Sequence, residues 1–193
     1  ALNDAGFKGD EIIAGVEKRI APPEGAPEGA VVPGYFAPEL QKIVISMETV
    51  KDATTPTQIR AAIDEVMNHE MIHAMRRLDL YTENEFNALE NATARVKNSD
   101  GTSFYDWAKG VYSGTEKSES AIREEAVAEM MKKFKSDTEV KRQLVGKPRN
   151  LAEKTDRFLE NMVNAFSGAG VAGAKEVVEG MDVVSGRKRF EEV

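Results

Sequence analysis

Both histidines of this 193-residue chain fall within one pentapeptide, His69-Glu70-Met71-Ile72-His73. On an α-helix, positions i and i+4 share a face, so the two imidazoles can aim at a common point. Two imidazoles converging in this way are the beginning of a tetrahedral zinc site. Glu70 is displaced by about 100° around the helix from His69. There its carboxylate can reach a water activated by the metal without taking a ligand position, which is what a general base for hydrolysis needs. The site requires a third protein ligand. The chain has no cysteine and no further histidine, so that ligand must be a carboxylate, and one Zn2+ is the expected cofactor.

The richest source of carboxylates after the motif is Arg123-Glu124-Glu125-Ala126-Val127-Ala128-Glu129. Helical periodicity does not choose among its glutamates. The apolar stripe Ile122, Ala126, Met130 and Phe134 has Glu129 at one edge and Glu124 at the other, and Glu125 is no better placed than either. With both histidines committed, the donor that stabilises an oxyanion must be a Tyr or an Arg, and Tyr112 is the candidate upstream of the glutamate helix. Residues 41–47 are a candidate edge strand for pairing with an extended peptide. Met67, Met71 and Met75 read as core.

The elements that must carry these groups have readable signals. Thr55 caps, Pro56 fits the first helical position and Gln58 completes a capping box. Ile59, Ile63 and Val66 then recur at helical spacing up to the histidines, and the residues around the motif leave almost no polar face. Arg76 and Arg77 suit the helix C-terminus. Thr82 and Glu85 form a second capping box before a helix with Phe86 and Leu89 facing inward. Asn98 to Thr102 is a turn, and aromatics from Phe104 to Tyr112 follow. A polar loop, residues 113–120, leads to a helix over 121–135; another runs from Asn150 to about Phe166, and a short last helix covers 174–181. At the other end, residues 8–20 read as a helix through Ile12, Ile13, Val16 and Ile20, and residues 22–33 as a Pro/Gly-rich loop. Val31–Phe36 and Gln41–Met47 are two strands of a hairpin. The expected fold is α+β, mostly α: one domain over 1–193, with 1–29 as helix and loop, 30–135 as metal-site core and 150–193 as C-terminal helices.

Composition narrows the partners. A net charge of −7 disfavours nucleic acid, and no apolar run approaches a membrane span. Without cysteine there is neither a disulfide framework nor a thiolate zinc site. The first residue is not Met and no signal peptide is visible, so a processed product or a segment of a longer polypeptide is expected.

Two resemblances add to this reading. Glu125-Ala126-Val127-Ala128-Glu129 resembles the ligand helix of thermolysin-like enzymes and other gluzincins, with Glu in place of a final Asp. That resemblance implies Glu125 as the zinc ligand and Glu129 as the partner of a ligand histidine's other ring nitrogen, with Glu124 as the rival ligand. The interval of about fifty residues after His73 is longer than in thermolysin. More particularly, His69 to Arg76, Leu78 to Thr82, Glu85-Phe86 and Leu89 are similar to zincin-like domains of the large polyvalent proteins of phages and mobile elements. Arg157-Phe158 and Val177 to Gly186 match its later elements. Met75, Asp79 and Tyr81 depart from that family's Leu, Gly and Phe. The resemblance implies a zincin-like domain cut from a large phage protein, acting in a virion or host cytoplasm. The expected function is a zinc-dependent peptidase with protein or peptide substrates, among them other parts of a parent polypeptide. The alternative is a virion structural or ejection module that keeps the fold without turnover. A repressor-cutting protease is a weaker third idea, and its usual fused helix-turn-helix is not evident.

Overall fold

The computed structural model describes residues 13–17, 19–21, 31–37 and 42–166. The longest element is α1, Pro56–Arg77. Its start follows the sequence: Thr55 Oγ1 accepts from the Gln58 amide at 3.3 Å, and Gln58 Oε1 accepts from the Thr55 amide at 3.1 Å. These pairs satisfy amides that the first turn leaves without helical partners. Its end is a Schellman motif. The Leu80 amide donates to Met75 O at 3.0 Å and the Asp79 amide to Arg76 O at 3.2 Å. Asp79 takes the left-handed conformation this requires, with φ of 53°. The helix is buried where the motif lies: Met71, Ile72, Ala74 and Met75 are in the core, whereas Ile59 near the other end is exposed.

Three further helices follow the expected plan, with shifted ends, and a fourth forms where the sequence reading has only an aromatic segment. Helix α2 is Glu83–Thr93, with the Thr82/Glu85 capping box in place. The aromatic segment forms α3, Phe104–Val111, capped by Ser103. Helix α4 is Glu119–Ser136, so Glu119 and Ser120 belong to it and not to the preceding loop. Helix α6 is Lys147–Phe166 and begins three residues before Asn150. Between them lies a short α5, Thr138–Gln143, started by Asp137. Helix α4 is the hub and packs against α1, α2, α3, α5 and α6. Every residue from Glu125 to Met131 is buried, so α4 is enclosed well beyond a single apolar stripe.

The sheet differs from expectation. Among the described residues it has three strands, β1 (Ile13–Glu17), β2 (Gly34–Ala37) and β3 (Lys42–Ser46), in the order β1-β3-β2. β2 and β3 pair antiparallel, Gly34 opposite Ile45, as the hairpin reading expects. β1 pairs parallel with β3, Ile13 opposite Lys42. The helix expected over 8–20 is therefore corrected across 13–17, where the chain is a strand. Gly15 and the β-branched Ile13 and Val16 weaken a helix there. The stronger cause is β3: Ile43, Val44 and Ile45 are all buried, on both faces. A strand enclosed on both faces needs partners along both edges for its backbone groups. β3, expected as an edge strand within 41–47, is thus the centre of the sheet, and β2 is an edge strand among the described residues. Residues 8–12, most of the Pro/Gly-rich loop, the 174–181 helix and Val177 to Gly186 lie outside the described residues. No described helix is long and apolar enough to cross a membrane.

Candidate metal centre

His69 and His73 project from the buried half of α1 toward Glu125 on α4. Their Nε2 atoms are 3.4 Å apart. Glu125 Oε2 lies 3.3 Å from His69 Nε2 and 3.7 Å from His73 Nε2. The two rings meet edge to face, with centroids 5.2 Å apart and planes at 63°. The three atoms form a nearly equilateral triangle. With metal–ligand bonds of about 2.0–2.2 Å at the tetrahedral angle, neighbouring donors stand about 3.3–3.6 Å apart. The triangle therefore fits one face of a tetrahedral ion, and His69, His73 and Glu125 are a cluster that could hold a metal.

The outward ring nitrogens have carboxylates of their own. His73 Nδ1 lies 2.7 Å from Glu124 Oε1, a hydrogen-bond distance. His69 Nδ1 faces Glu129 Oε2 at 3.8 Å, and Glu129 is paired with Lys132 at 2.7 Å. Glu124 thus supports a histidine and Glu125 faces both ring nitrogens. Packing decides which glutamate faces both imidazoles. Ala126 and Met130, both fully buried, fix the rotation of α4, and Glu125 turns toward α1.

Each oxygen of Glu125 has a distinct partner. Tyr112 Oη donates to Oε2 at 2.9 Å, and Lys117 Nζ donates to Oε1 at 2.6 Å. Burial pushes this carboxyl upward, but the His69 hydrogen bond and the charges of His73, His69 and Lys117 outweigh it and hold it well below the ordinary range. Burial and then the Glu125 carboxylate push the Tyr112 hydroxyl far up, so it stays protonated as a donor.

Glu70 is buried on the neighbouring face of α1 beneath β2, and its carboxylate takes a hydrogen bond from the Phe36 backbone. Burial raises its pKa, opposed by the charges of His69 and His73. The close approach of β2 depends on Gly34. A Cβ there would lie 2.5 Å from Val66 Cγ1, 2.8 Å from the Val44 carbonyl oxygen and 3.5 Å from Glu70 Cγ. Sequence reasoning missed Gly34, Phe36 and Lys117. A glycine inside a strand was the available signal for the first; the other two act through contacts that only the fold creates.

These groups open onto a cleft of about 660 Å³ between β2, α1, α3, α4 and the loop before α4. Val31, Tyr35, Trp107 and Val111 supply an apolar part of its wall, and Arg77, Lys117 and Lys132 supply positive charge. Met71 and Met75 lie in the core and Met67 packs partly buried against it, in line with a packing role. No protein-family model, curated protein or solved structure matches the chain.

Proposed function

We propose that the protein is a zinc-dependent peptidase. The observation that carries this reading is the donor triangle of His69, His73 and Glu125 with a buried glutamate, Glu70, held beside it. Zinc in the triangle would polarise the scissile carbonyl and lower the pKa of a water. Glu70 accepts the proton of the attacking water and returns it to the leaving amine. Its burial beside the two histidines suits both transfers. The Phe36 amide keeps the carboxylate oriented. Tyr112 Oη, already 2.9 Å from the metal-facing oxygen of Glu125, donates to the oxyanion as charge develops.

Substrate binding falls to the cleft. β2 is an edge strand that lines it, so an extended peptide can add to the sheet there. Trp107 and Val111 offer an apolar surface to a side chain beside the scissile bond. The resemblance to polyvalent-protein domains directs the search for substrates to host proteins and to flanking parts of a parent polypeptide. A fold kept only as a virion module has no use for Glu70, since a structural metal site needs no base.

Zinc stoichiometry measured by native mass spectrometry, beside cleavage of a denatured protein library, tests this reading. One zinc per chain is expected, with cleavage abolished by a chelator and restored by zinc. A zinc-free protein, or zinc-loaded protein without cleavage, contradicts it.

A further inference from the structure

We infer that Lys117 is a positioning residue that restricts Glu125 to a single donor oxygen, keeping the metal four-coordinate with one position open; this rests on the metal-site reading above. A carboxylate beside a metal can bind through one oxygen or chelate through both. The Glu125 side chain is buried, and its two oxygens have different surroundings. Oε2 faces both imidazoles. Oε1 is held by the Lys117 ammonium at 2.6 Å. A charge-assisted hydrogen bond of this length draws charge toward Oε1 and fixes the carboxylate's rotation. Chelation would require Oε1 to swing toward the metal and leave that ammonium.

Lys117 is itself held in place. Its ammonium lies 4.7 Å from the centroid of the Tyr112 ring, over the face. Its backbone amide donates to Thr115 Oγ1 at 3.4 Å, and Thr115 Oγ1 donates in turn to the Tyr112 carbonyl at 2.8 Å. Gly114, with φ of 85°, allows the tight turn that brings this loop back over the end of α3. Tyr112 therefore serves both oxygens: its hydroxyl contacts Oε2 and its ring seats the lysine that holds Oε1. The other lysine of the cleft near α4, Lys132, pairs with Glu129, which is outside the donor triangle. A metal held in the triangle would then keep a position free for water or the substrate carbonyl, as catalytic zinc sites require.

Cobalt(II) reports this directly, because its visible bands are intense in four-coordinate sites and weaken when a fifth ligand enters. Wild type, Lys117→Met, Lys117→Gln and Lys117→Arg are compared at saturating cobalt, with circular dichroism to confirm that each is folded. Wild type and Lys117→Arg are expected to show intense bands. Lys117→Met and Lys117→Gln are expected to bind cobalt and lose much of that intensity as Oε1 becomes a donor. Wild-type spectra in the Met and Gln variants, weak bands in wild type, or folded variants that no longer bind cobalt would each overturn the assignment. Failure of wild type to bind cobalt would instead overturn the metal site itself.

Discussion

His73 Nδ1 lies 2.7 Å from Glu124 Oε1, so adjacent glutamates on α4 do different work. Glu125 faces the inner nitrogens of the two histidines, and Glu124 fixes the ring orientation of one of them. Glu125→Ala is predicted to abolish tight zinc binding. Glu124→Ala is predicted to weaken it by about 10–100-fold, as loss of an outer hydrogen-bond partner does elsewhere. Competition with a chromophoric chelator measures both. Retention of zinc by Glu125→Ala with loss in Glu124→Ala would reverse the assignment.

Gly34→Ala tests the seat of β2. The new methyl meets Val66 Cγ1 and the Val44 carbonyl, and such overpacking costs about 1–3 kcal/mol. Denaturant unfolding should show that loss, and activity should fall further than stability because Phe36 moves away from Glu70. Adding Val66→Ala should restore only part of it, since the Val44 backbone cannot yield. Full recovery in the double variant would mean that β2 is not held this closely.

Asp79→Gly is predicted to stabilise the protein. Asp79 closes the α1 Schellman motif at φ of 53°, where glycine avoids a steric penalty of about 1 kcal/mol. The expected rise in melting temperature is about 2–4 °C. No change, or a fall, would place the aspartate side chain in a role of its own.

This position also shows how much the sequence disclosed. The resemblance expects glycine where Asp79 stands, and Asp79 lies at φ of 53°, a conformation glycine adopts without strain. The caps of α1 and α2 were equally plain, because Thr55, Gln58, Thr82 and Glu85 act within four residues of one another. β1 was not legible: its apolar spacing also suits a helix, and the pairing that decides lies about thirty residues away in β3. Nor was the rank of Glu124 and Glu125. It depends on how α4 is rotated against α1, which is set by buried neighbours and not by the order of residues within α4.

The metal-free protein should lose stability as pH rises above neutrality. Burial opposes charging of His73, but the Glu124 hydrogen bond and the charges of Glu125 and Glu70 outweigh it and raise its pKa above 6.5. A pKa raised by folding contributes stability that is complete below about pH 6.5 and disappears as pH climbs through the folded value. Glu70, also raised, acts in the same direction from a lower starting pH. Urea unfolding in the presence of a chelator should show this decline, and Glu124→Ala should flatten it. Zinc should reverse the trend, because the imidazoles must be deprotonated to bind it. Rising stability of the chelated wild type over that range would contradict the account.

Profiling of new protein N-termini tests the proposed role of Glu70 as the base of a peptidase. Wild type and Glu70→Gln, each carrying one zinc, are incubated with a native proteome. New termini are expected with wild type and almost none with Glu70→Gln at equal zinc content. Equal cleavage by both proteins, or none by zinc-loaded wild type, would contradict that role.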